Sequence, residues 1–239
     1  MADDKQHIEN EVIDAILEKP ITLTIDGRFF YIYQPSLGIS LLTGQLLQEV
    51  KVNSHLYATN KLAEMYRICE TQHDLVLRIV ALYTFSHRSD AIKEESVQAR
   101  IDELKTLDAA ELATLVTVIF EWETRQDKFI KHYQLDREKR TREKIAMAKK
   151  NKGNNLTFGG RSMYGTIIDT ACERYGWEVG YVLWGVSLIN LNMLLSDSVQ
   201  SVFLTKEEIK EAHISIDGVY LDARDPKNLR EIQRLIKGK

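Results

Sequence analysis

From Gln45 to Lys152 the chain contains neither glycine nor proline. That stretch is nearly half of the 239 residues. Sheets joined by tight turns seldom run so far without the residues that supply positive φ or a fixed φ. An all-β fold is therefore excluded, and the chain is expected to be mainly α. The hydrophobic share is 44% and the charged share 28%, with 12 Gly and 3 Pro. This rules out collagen-like, low-complexity and wholly disordered chains. The length suits one large domain or two small ones.

Local patterns place the elements. Ile8, Val12, Ile13 and Ile16 recur at helical spacing, which predicts a helix over about His7 to Glu18, ended by Pro20. ITLTI and RFFYIY flank Asp26-Gly27, the dipeptide most favoured in a two-residue hairpin loop. Ser36 can cap a helix carrying Ile39, Leu42, Leu46 and Val50. Residues 54–100 read as two or three helices, with breaks near Thr71 to His73 and Ser86 to Asp90.

Asp108 and Glu111 have capping-box spacing before a long helix. On that helix Leu112, Leu115, Ile119, Trp122, Gln126, Phe129 and Tyr133 alternate spacings of three and four. Such a seam, with one polar member, fits packing in the chain's own core and equally fits self-association into a homo-oligomer.

Charge then shifts. Between Arg137 and Lys152 eight basic residues face Glu138 and Glu143, although the whole chain carries a net charge of −3. Few apolar residues accompany them, which predicts a solvated helix fraying into NKGNN. No aromatic interleaves with this run before Phe158, so a charged connector is the better reading than a nucleic-acid interface at residues 137–152. The expected division is a helical body with its hairpin at 1–140, a connector at 141–163 and a smaller helical region at 164–239. In the last, a helix from Tyr164 to Arg174 closes at Gly176, and Thr205 with Glu208 caps a short helix. ISIDGVYLD offers a second small hairpin, and Asp225-Pro226 starts a final helix.

Tests for chemistry return little. Gly160-Arg161-Ser162-Met163-Tyr164 approaches a nucleophile elbow, but Tyr164 replaces its second glycine and no strand precedes it. The same loop lacks P-loop and dinucleotide spacings, so a flexible lead into a helix is the better reading. Cys69 and His73 could share a metal, yet no further pair has zinc spacing. Two cysteines far apart give no disulfide framework, and the acidic opening MADDKQHIENEV lacks the apolar core of a secretory signal. The expectations are therefore no catalytic residues, no metal, no cofactor, no enzyme activity and a cytoplasmic location.

No charge occurs from Val179 to Ser196. The segment is short for a bilayer span and contains Asn190 and Asn192, so a buried or partner-binding helix is expected rather than a membrane one. Its approach, Tyr175-Gly176-Trp177 followed by Tyr181 and Trp184, supplies aromatic anchors of the kind that dominate interfaces.

RSMYGTIIDTACERYGWEVGYVLWGVSLINLNMLLSDS, DARDPKNLREIQRLIKG and, more loosely, ITLTIDGRFFYIYQPSLGISLLTGQLL together cover about half the chain. In these segments it resembles the tail assembly chaperones of long-tailed bacteriophages and prophages of Bacteroides-like hosts. The resemblance implies a small, largely helical, non-enzymatic protein of the infected cell's cytoplasm. Such a protein coats the apolar, helical tape measure protein until tail tube polymerisation. It would make Trp177, Tyr181, Trp184, Leu188, Leu191 and Leu195 the client-contacting set. A structural component retained in the virion, or a nucleic-acid-binding adaptor, are the competing functions.

Overall fold

The computed structural model describes residues 2–150, 160–197 and 201–214, together with Gln233. The second hairpin expected in ISIDGVYLD, the final helix after Pro226 and the NKGNN segment lie outside the described residues, as do the side chains of Trp122 and Gln126. The protein is mainly α, with a two-stranded antiparallel hairpin near its N-terminus. Contacts divide it into two compact units, residues 1–136 with 157–199, and residues 137–156 with 200–239. This grouping is not sequential. Residues 164–199, which the sequence suggested as part of a separate C-terminal region, belong with the N-terminal body.

In the first unit, α1 (Ala2–Ile16) stops where Glu18 takes φ +52°. Strands β1 (Ile21–Ile25) and β2 (Arg28–Ile32) pair in the register Ile21 to Ile32 and Ile25 to Arg28. Asp26 and Gly27 both have positive φ, +48° and +73°, as a two-residue loop matched to strand twist requires. Alternation turns Leu23, Phe30 and Ile32 toward the core and leaves Thr22, Thr24, Phe29 and Tyr31 outside.

Ser36 caps α2 (Leu37–Leu47), its hydroxyl accepting from the Ile39 amide. Asn53 and Asn60 cap α3 (Ser54–Thr59) and α4 (Lys61–Thr71) in the same way, so the first of the expected helices is two. Then follow α5 (His73–Tyr83), a 3-10 turn (Arg88–Ile92) and α6 (Glu94–Leu104). The Asp108–Glu111 capping box opens α7 (Ala109–His132).

Helix α7 packs along α4, and Met65, Ile68, Cys69, Leu77, Leu112 and Leu115 fill the space between the helices. Burial pushes the Cys69 thiol up to about 12, as expected for a structural cysteine. Leu112, Leu115, Ile119 and Phe129 are all buried in this core, and Tyr133 packs against it. The apolar surface of these five is taken up inside the chain, which is the core-packing reading of the seam for its described members. The Tyr133 hydroxyl donates to Glu9 at 2.8 Å; burial, then that bond, pushes its pKa up to about 12.

Helix α9 (Met163–Tyr175) is capped by the Ser162 hydroxyl and closed by Gly176 at φ +65°. The uncharged segment Val179–Ser196 is not one helix. A single π turn spans Tyr181–Gly185, Val186 and Ser187 are extended, and α10 runs Leu188–Ser196. Ser36 and Ser187, each the N-cap of its helix, pair across an isolated antiparallel bridge, and the Leu188 amide donates to the Pro35 carbonyl at 2.7 Å.

The second unit takes up the basic run in α8 (Leu135–Lys150) from Arg137 onward, together with α11 (Lys206–Glu211), which opens on the expected Thr205–Glu208 capping box. Ala148 and Ala212 are buried, and the Lys149 ammonium donates to the Phe203 carbonyl at 2.7 Å. Residues 141–150 are thus helix in a packed unit, where a connector was expected.

In the first unit the π turn seats directly on α2. A Cβ built on Gly38 would overlap the Trp184 ring. Gly38→Ala is expected to destabilise the protein by about 1–3 kcal/mol through overpacking. Urea denaturation checks this, with Gly44→Ala, where open space surrounds the added methyl, as the control.

Candidate functional site

A groove of about 880 Å³ opens between the end of α1, the Tyr175–Tyr181 aromatic segment and the outer side of α10. One wall is Ile16 and Leu17, 56% and 61% exposed. These residues exist as a free apolar edge because α1 carries two stripes. Ile8, Val12 and Ala15 face the core, while Ile13, Ile16 and Leu17 point away from it. The sequence reading merged the two stripes into one.

The opposite wall is an aromatic ladder. Tyr175 stacks on Trp177 with centroids 4.7 Å apart, and Trp177 meets Tyr181 edge-on at 5.0 Å. Gly176 makes the ladder possible, since its left-handed backbone reverses the chain between the first two rings. The Tyr175 hydroxyl donates to the Leu194 carbonyl at 2.9 Å, fixing the ladder to α10. Tyr181 lies across Gly185, where a Cβ would overlap its ring, so the π turn and the ring are matched in shape. Met193 and Leu194 complete the apolar lining, with Arg174 and Asp197 at the rim.

The floor is held by polar contacts. Arg88 donates through Nε to the Gln34 carbonyl (3.0 Å), through Nη1 to the Gly185 carbonyl (3.1 Å) and through Nη2 to Glu18 Oε2 (2.5 Å). The other Glu18 oxygen accepts from the Ser187 amide at 2.6 Å and from Asn190 Nδ2 at 3.2 Å. These bonds take the Gly185 carbonyl and the Ser187 amide away from helical pairing, which is the physical reason the uncharged segment breaks there.

The six sequence-nominated contact residues therefore separate. Trp177 and Tyr181 line the groove, Tyr181 being 48% exposed. Trp184 turns inward against Gly38 and the main core. Leu191 is fully buried, and Leu188 and Leu195 pack around it in a second cluster with Leu37, Ala171 and Val182. The six residues, expected on one contact surface, thus lie on two sides of a broken segment. Tyr175, an aromatic anchor in the sequence reading, lines the groove as well. Sequence reasoning missed Ile16, Leu17, Met193 and Leu194; the second apolar stripe of α1 was the available signal for the first two.

The remaining candidates lie apart from the groove. Ser162 is occupied as a helix cap, and Cys69 is buried in the core while His73 begins the next helix. Among the described residues no group of three or more His, Cys, Asp or Glu could hold a metal ion. No described helix is long and apolar enough to cross a membrane. Along the basic run Arg142 lies 3.7 Å from Glu138, and Arg137 and Arg140 also have partners. Comparison with protein-family models, curated proteins and solved structures finds no match.

The division between groove-facing and core-facing residues has a direct check. Leu17→Glu should change unfolding free energy by no more than about 0.5 kcal/mol, because the side chain is already in water. Leu191→Glu should cost at least about 3 kcal/mol by burying an unpaired charge. Equal effects in chemical denaturation would refute the assignment.

Proposed function

We propose that this protein is a non-enzymatic tail assembly chaperone that shields an apolar helical client, the tape measure protein, before it is built into a phage tail. The observation that carries the reading is the open groove with Ile16 and Leu17 on one side and Trp177 and Tyr181 on the other. A contiguous apolar surface held open on a folded scaffold marks a binding site. A volume of about 880 Å³ receives the side chains along one helix face rather than a whole helix of roughly 10 Å diameter. That suits transient holding, in which the client keeps its other faces for the tube. The resemblance of the segment from Arg161 to Ser198 to such chaperones supports the same reading, as does the aromatic character of the wall.

Co-expression with the tape measure protein of the same phage tests this. The client is expected to be soluble and to co-purify with the wild-type chain. The pair Leu17→Glu and Tyr181→Ala should weaken the complex by about 2 kcal/mol or more, roughly thirty-fold, while the chain stays folded. A client equally soluble alone would overturn the proposal. Stoichiometric retention of the protein in purified particles would favour a structural virion component in its place.

A further inference from the structure

The hairpin has an unfinished edge. With Ile25 and Arg28 closing a two-residue loop, the pairs Ile25–Arg28, Leu23–Phe30 and Ile21–Ile32 exchange the inner hydrogen bonds. The amides and carbonyls of Phe29 and Tyr31 then point outward from β2. Tyr33, next in the same alternation, shows this directly, since its amide donates to the Tyr83 carbonyl at 2.8 Å. The end of α5 thus takes the last outward position and leaves the two before it. No hydrogen bond from the outward amides or carbonyls of Phe29 or Tyr31 occurs among the described residues.

Beside this edge lies a cleft of about 350 Å³, with Phe29, Tyr31 and Tyr33 on the strand side and Thr84, Arg100 and Leu104 opposite. Phe29 is 65% and Tyr31 45% exposed. Strand edges are normally blunted by lysine, proline, a bulge or a covering element, and here two exposed aromatics sit over open backbone groups. The charge of the cleft is one-sided. Arg100 is matched by Glu103 at 2.5 Å and lies over the Phe85 ring. Arg28 donates to the Thr106 hydroxyl at 2.7 Å, lies over Phe30, and has no carboxylate in ion-pair range among the described residues.

We propose that the outer edge of β2 is a docking site for an extended, acidic segment of a partner protein, which adds as a third strand and places a carboxylate against Arg28. Two outward residues supply two donors and two acceptors, so the docked segment is short and pairs at Phe29 and Tyr31. Its alternate side chains pack across the strand onto the Phe29 and Tyr31 rings. The net positive charge of the cleft selects acidic segments over basic ones and orients the strand. This site is independent of the groove at α1 and α10, so either can fail without the other.

The probe is a short synthetic peptide of alternating valine and threonine with one central glutamate, compared with the same peptide carrying lysine there. Binding is followed by amide hydrogen exchange of the full-length chain. At roughly millimolar peptide, exchange at Phe29 and Tyr31 should slow about ten-fold or more. The lysine peptide should bind about five-fold more weakly, the scale of an exposed ion pair, and Arg28→Gln should erase that difference without changing the melting temperature. Unchanged exchange at Phe29 and Tyr31, equal binding of the two peptides, or protection at the groove instead would overturn the proposal. Protection of these amides that grows with protein concentration in the absence of peptide, with a doubled mass, would also overturn it and make a second copy the occupant.

Discussion

A single ion pair with its hydrogen bonds joins the parts of the first unit that lie farthest apart in sequence. Arg88 sits in the 3-10 turn, Glu18 just beyond α1, and between them they hold the carbonyls of Gln34 and Gly185 and the amide of Ser187. The Arg88 side chain is almost wholly removed from water, and its Nε, Nη1 and Nη2 each donate to an oxygen. A buried guanidinium is held by such charge-assisted bonds, and removing its carboxylate partner leaves a charge whose cost is about 3–5 kcal/mol. Glu18 reaches this position through a left-handed backbone, which costs about 1–2 kcal/mol in a non-glycine residue. The strain is offset by the partners that the Glu18 carboxylate and the Arg88 guanidinium collect besides each other: the Ser187 amide and Asn190 Nδ2 on the first, the Gln34 and Gly185 carbonyls on the second.

From this node the geometry of the groove follows. By holding the Gly185 carbonyl and the Ser187 amide, it stops the uncharged segment from continuing as one helix and redirects it as a π turn and α10. The redirected chain carries Trp184 inward onto Gly38 and leaves Tyr181 outside, over Gly185. The same Glu18 fixes where α1 ends, so Ile16 and Leu17 stand across from the aromatic ladder. One polar contact therefore sets both walls, and the apolar lining has its shape because the floor is polar.

What the sequence reveals here is local. Asp26-Gly27, Ser36, Asp108 with Glu111, Gly176, and Thr205 with Glu208 each state their role within four residues, and the hairpin and helix ends fall where those residues place them. The break at Val186–Ser187 is not local, because its causes lie at Glu18 and Arg88, far from it along the chain. Neither residue is unusual in a chain where 28% of positions are charged. Periodicity puts Leu112, Leu115, Ile119 and Phe129 on one stripe of α7, and they are buried together, but a stripe does not say whether its partner is α4 or another molecule. Trp177 and Tyr181 could be picked out by type; that Trp184 turns the other way depends on a turn the 3.6-residue period does not encode.

Amide hydrogen exchange at Ser187 tests the central role of the node. In the wild-type chain this amide should exchange as slowly as the core amides of α4 and α7, because it is buried and bonded to Glu18. In Arg88→Gln it should speed up together with the Tyr181–Leu188 region, ahead of the α4 and α7 amides. A Ser187 amide that exchanges like an exposed loop in the wild type, or one that responds to Arg88→Gln only in step with global unfolding, would contradict the account.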